Sequence, residues 1–256
     1  VATISGTRYS TLGAWSHWLA VSSDSPAAVA HHVHTAGNRR GEEARRSAIA
    51  AVSTDCLDHR PEFLDDMSQL PAVDGVSAPL RLKLMQPEEV AACIQRDPRL
   101  IVPVGTCEQH GRHMPLGADS IIVERLANDL SVESGVLVAP TVEYGVNVIT
   151  EREYAGNASL RKKTLHRVLN DLIDTWESTG IREFILLTSH EHDPHLEALS
   201  TVITSGARVR VVDVLSVDFS DLLEGQSEPM HGDEVDTSLL LYIAPELVAT
   251  DRAQDY

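Results

Sequence analysis

Apolar positions change their spacing partway along the chain. From about residue 80 onward, short apolar runs at 100–104, 136–139 and 184–187, and a mainly apolar one at 209–214 that Arg210 and Asp213 interrupt, alternate with longer stretches of three-to-four spacing. Runs this short, bounded by polar residues, predict buried strands. Helical spacing covers 120–130, 160–179, 194–204 and 234–243, and in the second of these Leu165, Val168, Leu169, Leu172 and Ile173 form one stripe. Asp193 is expected to cap the third of these helices, with Pro194 in its first turn. The alternation predicts an α/β fold, a mostly parallel sheet with helices on both faces. In such sheets ligands bind beyond the carboxyl ends of the strands.

Residues 1–79 read differently. Helical spacing is present in places over 42–67, with Ala44, Ile49 and Val52 on one side, and Pro61 is placed to begin a new helix. Residues 68–79 are rich in Pro, Gly, Ser and Ala and read as a linker. The expected division is an N-terminal extension of mixed or helical character over 1–79, without an assignable role, and a domain over 80–256. His31, His32 and His34 cluster in the extension, and a solvated segment is the simplest account of them.

Composition narrows the classes. The chain has 256 residues, 43% hydrophobic and 23% charged, which is enough apolar material for a core. A formal net charge of −17 repels phosphate backbones, so no nucleic-acid partner is expected. No apolar run has bilayer length, so no membrane partner is expected either. The weakly apolar stretch at 12–21 is broken by Trp15 to Trp18 and preceded only by Arg8, a poor signal peptide. Three cysteines, Cys56, Cys93 and Cys107, form no disulfide framework, and a reducing cytoplasm is the expected setting.

The candidate chemistry lies just past two of the strands. The run at 100–104 leads into Gly105-Thr106-Cys107-Glu108-Gln109-His110, and the run at 184–187 leads into Thr188-Ser189-His190-Glu191-His192. Both segments should leave the same edge of the sheet. Residues two apart in extended chain face one way, so Glu108 can converge with His110, and His190 with His192. Asp119 follows at the start of the next helix. Carboxylates and imidazoles are donors for zinc, manganese or iron in hydrolytic sites. A lone histidine would be read as a cap or a packing residue, but this many donors at two strand ends predict a metal site.

Residues 103–119, Pro-Val-Gly-Thr-Cys-Glu-Gln-His-Gly-Arg-His-Met-Pro-Leu-Gly-Ala-Asp, closely resemble the creatininase-family segment Pro-Val-Gly-Ser-x-Glu-Gln-His-Gly-Pro-His-Leu-Pro-Leu-Gly-Thr-Asp. The stretches 140–145 and 154–160 resemble the family's next segments, and His231 with Asp236-Thr237-Ser238 resembles its His-Ala-Gly-x-x-Glu-Thr-Ser. The resemblance runs from about residue 80 to the end and leaves the first 79 residues unexplained.

The resemblance implies a creatininase-like α/β/α sandwich and an amidohydrolase with one or two divalent ions, zinc first and manganese or iron as alternatives. Residue by residue, it implies that Glu108 and His190 hold one ion, that His110 holds the other and that Asp119 bridges them. His192, where creatininase has a glutamate ligand, is a candidate ligand as well. His231 falls on the catalytic histidine. His113, Tyr144, Asp233, Glu234 and Asp236 are candidates for contacting the substrate or supporting the ligands. Paired cations acidify a water and polarise an amide carbonyl, and His231 is suited to protonate the leaving nitrogen. The implied substrate is a small-molecule amide with a non-peptide C–N bond, such as a cyclic amide, lactam or formamide, and the implied assembly is a homo-oligomer, commonly a hexamer. A peptidase trimming a small modified peptide and a non-catalytic metal-binding oligomer are the alternatives. Thr188-Ser189, Met230, Gly232-Asp233 and Asp236 depart from the family pattern and point to a rebuilt substrate pocket.

Overall fold

The computed structural model describes residues 26–53, 78–149, 153–226 and 229–254, with 26–38 described by backbone alone. The elements, in chain order, are α1 (Pro26–Val52), α2 (Pro87–Arg96), β1 (Arg99–Pro103), α3 (Ala118–Ser134), β2 (Leu137–Val138), α4 (Lys162–Ser178), β3 (Glu183–Thr188), α5 (Asp193–Ser200), β4 (Arg208–Asp213) and α6 (Glu234–Ile243). The four strands form one parallel sheet in the order β2-β1-β3-β4. Ile101 lies opposite both Val138 and Ile185, and Leu187 lies opposite both Pro103 and Val212.

Alternate strand residues feed two cores, as the period of two in extended chain requires. Ile101, Ile185 and Leu187 pack with Ile122, Leu126 and Leu130 of α3 and Leu239 and Leu240 of α6. Leu100, Val102, Phe184 and Leu186 pack on the other face with Leu165, Leu169 and Ile173 of α4 and Leu199 of α5. Burial on both faces explains why β1 and β3 read as nearly continuous apolar runs, whereas β4, at the sheet edge and only partly buried, carries Arg208, Arg210 and Asp213. The α/β architecture expected from the sequence is the one observed.

The strand boundaries agree with expectation to within one residue, but the helices differ more: α1 begins at Pro26 rather than near 42, and α3 runs over Ala118–Ser134 where 120–130 was expected. Asp193 is not the cap of α5: the helix begins one residue earlier than expected, His192 takes the cap position, and no side chain caps it. The same helix stops at Ser200 rather than 204, where the Thr201 amide and hydroxyl both donate to the Glu197 carbonyl. Helix α2 was not anticipated, although Val90, Cys93 and Ile94 stand at helical spacing and pack on the second core. It is held by a Gln86/Glu89 capping box, in which the Gln86 amide donates to Glu89 Oε2 at 2.8 Å.

Part of the N-terminal extension belongs to the first core. Ala44, Ala48, Ile49 and Val52 of α1 are buried in it, and α1 lies along α6. Gly41 permits this approach, because a Cβ there would come within 2.1 Å of the Ser238 carbonyl oxygen. Pro61, most of the 68–79 linker, Cys56 and the side chains of His31, His32 and His34 lie outside the described residues. Among the described residues no helix is long and apolar enough to cross a membrane.

Candidate metal centre

The site forms where β1 leaves the sheet against the first turn of α3. The Val104 amide still bonds the Leu187 carbonyl at 2.8 Å, and the Gly105 amide bonds the Val142 carbonyl at 2.9 Å. At Gly105 the backbone crosses Ser120 so closely that a Cβ would come within 2.3 Å of Ser120 Oγ. That approach puts the segment 106–110 beside Asp119. Beyond β3, Ser189 donates to the Asp119 carbonyl oxygen at 3.1 Å, which ties the second segment to the same helix turn.

Glu108, Asp119 and His190 converge, all three buried, with one potential ligand atom from each within 4.8 Å of the others. His190 Nδ1 lies 3.5 Å from Glu108 Oε2 and 3.4 Å from Asp119 Oδ2. His110 Nε2 lies 3.0 Å from Asp119 Oδ1. Each Asp119 oxygen therefore faces a different imidazole, and Oδ2 also accepts the Thr106 hydroxyl at 2.6 Å.

Backbone carbonyls set the ring orientations. His110 Nδ1–H donates to the Glu108 carbonyl at 3.1 Å, and His190 Nε2–H donates to the Val146 carbonyl at 3.0 Å. A carbonyl only accepts, so each ring presents its other nitrogen to the carboxylates. A lone pair facing a carboxylate is unfavourable unless a proton or a cation lies between them. Ionisation of the metal-free cluster follows that logic. Burial opposes the shift in His110, but the charge and hydrogen bond of Asp119 win and raise it to about 10. His190 is raised against its burial in the same way, and Asp119, also against its burial, is held well below the usual carboxylate range by His110 and His190. Two carboxylates and two imidazoles, each imidazole fixed through its remote N–H, are a donor set that fits zinc or a similar divalent ion.

The other candidates divide. His231 retains an exposed edge, yet its ring centroid is 4.4 Å from that of His110 and its Nε2–H donates to the Gln109 carbonyl at 2.6 Å. Burial of its inner side, followed by the neighbouring His110 charge, lowers it to about 4, so its Nδ1 carries a lone pair at neutral pH. Asp236 is buried and accepts the Gly232 amide on Oδ2 at 3.0 Å, while its Oδ1 has no hydrogen-bond partner. Burial pushes Asp236 up to about 8, with His110 opposing and Asp233 and Asp119 reinforcing. Asp233 caps α6 through the amides of Val235 and Asp236, and Glu234 bonds Arg40 and the amides of Glu224 and Gly225. His113 is buried, with Nε2 on the Thr237 hydroxyl at 2.9 Å. Tyr144 is exposed. His192 is half-buried beside His190, with ring centroids 5.8 Å apart, and stands outside the group of three converging donors.

The sequence pattern gives Thr106 and His195 no part in the site, and marks Ser189 only as a departure from the family pattern rather than as a support of Asp119. His195 is fully buried and meets His190 edge-on at 5.0 Å. It accepts the Val146 amide on Nδ1 at 3.3 Å, and its Nε2–H donates to the Thr188 hydroxyl at 3.1 Å. Burial, then the His190 charge, lowers it to about 3, so it is neutral. The available signal was its place in the first turn of a helix that starts beside a candidate ligand.

A parallel α/β sandwich with buried carboxylates and imidazoles at its carboxyl edge defines the class: an α/β protein with a candidate metal centre. Residues 83–256 match the family model described as Creatininase, creatinine amidohydrolase, and the chain belongs to that family. It is 27% identical over 169 residues to 3-dehydro-scyllo-inosose hydrolase of Thermotoga maritima, a match covering 61% of this chain and 53% of that protein. It is 30% identical over 165 residues to mycofactocin precursor peptide peptidase of Mycobacterium ulcerans, covering 60% of this chain and 62% of that protein. The matches thus span about half to three-fifths of these two relatives. A solved structure described as "Creatininase Mn" superposes with a TM-score of 0.63 at 23% identity, covering 70% of this chain and 78% of that one, and shares the fold.

Proposed function

We propose that this protein is a metal-dependent amidohydrolase acting on a non-peptide C–N bond of a small molecule, such as a cyclic amide, lactam or formamide. The observation that carries the reading is the orientation of His110 and His190, each turned by a backbone carbonyl so that its other nitrogen faces Asp119. In this reading Glu108, Asp119 and His190 would hold one divalent ion, His110 with Asp119 would serve a second, and His192 is a further candidate donor. Such ions acidify a water and polarise a carbonyl. The chain's own residues do the rest. Thr106 and Ser189 fix Asp119, and His195 backs His190. His231, anchored through Nε2 on the Gln109 carbonyl, takes a proton on Nδ1 and returns it to the leaving nitrogen. The proposal extends to a homo-oligomer, a hexamer by family resemblance, in the cytoplasm.

The test loads the purified chain with zinc or manganese, measures ions per chain by elemental analysis, and assays cyclic amides, lactams, formamides and short peptides with and without a chelator. Hydrolysis of a small amide that the chelator abolishes and metal restores is the expected result. Turnover of peptides alone would replace this reading with the peptidase. No turnover across the panel by the metal-loaded protein would leave a binding protein.

A further inference from the structure

The family match begins at residue 83, yet α1, well before it, is tied to the segment that carries His231. Phe219 is buried in the first core with Ala44 of α1 and Val235 of α6, and Leu222 and Leu223 pack against it. Beyond that apolar anchor the contacts become polar. The Arg40 guanidinium bonds Glu234 Oε1 at 2.9 Å through Nη1 and bonds Glu224 through Nη2. Glu234 returns across the same gap, accepting the amides of Glu224 at 3.1 Å and Gly225 at 3.2 Å. Its neighbour Asp233 accepts the side-chain amide of Gln226 and the backbone amide of Met230 while capping α6. His231 and Gly232 follow directly, with Gly232 in the left-handed region at φ 70° and close over the His110 backbone.

We propose that Arg40 is a positioning residue for the proposed active centre: by bridging Glu224 and Glu234 it fixes residues 224–226 and 229–233 and so sets where His231 lies against Gln109 and His110. The functional part of this inference rests on His231 being the proton carrier. The positional part does not, and the test separates the two. A planar guanidinium can serve two carboxylates at once, which an ammonium cannot do in the same geometry. Arg40 lies largely covered, with its side chain 20% exposed, and Glu234 is 16% exposed, so the bond between them is sheltered from solvent. Helix α1 thereby becomes part of the site's framework, beyond its contribution to the core.

The experiment is hydrogen exchange read by mass spectrometry on the full chain, with metal content measured in parallel. In Arg40→Ala, peptides covering 219–234 should exchange about 10-fold faster or more, as expected for losing a hydrogen bond to a charged group. Peptides from β1 and β3 and the ions bound per chain should stay at wild-type values. Arg40→Lys should recover part of the protection. If Arg40→Ala fails to fold, Glu224→Gln, which leaves the α1 core contacts in place, carries the test with acceleration expected in the same peptides. Unchanged exchange at 219–234 would overturn the proposal. An increase spread equally over β1 and β3 would also overturn it, because α1 would then only stabilise the domain. Failure of the hydrolase reading would show in the substrate panel and leave this exchange pattern untouched.

Discussion

Gly145 lies against the ring of His195: a Cβ at this position would come within 2.6 Å of His195 Nδ1 and 2.8 Å of the Gly105 carbonyl oxygen. His195 in turn meets His190 edge-on, and Val146, the next residue after Gly145, bonds both rings, with its amide donating to His195 and its carbonyl accepting from His190. The bare backbone at residue 145 therefore supports a candidate metal ligand two contacts away.

Gly145→Ala should be costly for that reason. Neither the Gly105 backbone nor the packed imidazole can give way freely, and overpacking of this kind costs about 1–3 kcal/mol. Displacing the partner of a ligating histidine typically weakens metal binding by about 10- to 100-fold. We expect a lower melting temperature and weaker zinc binding in competition with a chromogenic chelator. Wild-type zinc affinity in this variant would show that the His195 layer does not orient His190.

Asp119→Asn keeps the shape of the side chain and removes its charge. Asp119 is the one carboxylate that faces both imidazoles, and a carboxylate can bridge two ions where an amide is a poor substitute. Ions per chain, measured by elemental analysis, should fall below half the wild-type value, and any chelator-sensitive turnover should fall with them. Undiminished occupancy and activity would remove Asp119 from the site.

The fold was legible because both sheet faces are covered. Burial on two sides forces continuous apolar strands, and Leu100 to Val102 or Phe184 to Leu187 can hardly be read otherwise. Helix α2 was passed over although Val90, Cys93 and Ile94 carry helical spacing, because that stripe is only three residues long on a short, mostly exposed helix. In the site, Glu108, Asp119 and His190 could be named because their chemical types recur at strand ends and because the surrounding motif is distinctive. Thr106 and His195 escaped because hydroxyls and buried rings that support a ligand have no spacing of their own. Only the fold shows that Val146 joins His190 to His195. The role of Arg40 was invisible for the same reason, with its partner Glu234 lying 194 residues further along the chain.

Removing metal should make stability depend on pH in a particular direction. The folded value of His110 is raised to about 10 from an ordinary 6.5, so without metal its stabilisation is complete below 6.5 and is lost as pH rises towards 10. Asp119 works the other way: its folded value is lowered, so its stabilisation holds above 3.8 and is lost as pH falls below that. Asp236, raised to about 8 by burial, adds a loss between 3.8 and about 8. Metal requires deprotonated imidazoles and replaces those protons. The gap in melting temperature between metal-loaded and chelator-treated protein should therefore widen from pH 6.5 towards 10. Parallel curves over that range would mean that no ion occupies the cluster.

His231 carries the most exacting prediction. Its Nε2–H is committed to the Gln109 carbonyl at 2.6 Å, so the nitrogen left to exchange a proton is Nδ1. General acid–base groups contribute roughly 100- to 10,000-fold to turnover. His231→Ala should keep fold and metal content but lose turnover on that scale once a substrate from the amide panel is in hand. His231→Gln can preserve the bond to the Gln109 carbonyl without the proton transfer, and should restore the loop without the rate. The competing account gives the proton to Asp233 or Asp236, both raised by burial and both near the turn at Gly232. Asp233→Asn should keep the cap of α6 through Oδ1 but lose the bonds that Oδ2 accepts from Gln226 and Met230 and so loosen the loop, while Asp236→Asn should leave both in place. Measuring turnover and ions per chain for all four variants separates the accounts. A larger loss in Asp236→Asn than in His231→Ala, at equal metal content, would move the proton to the aspartate.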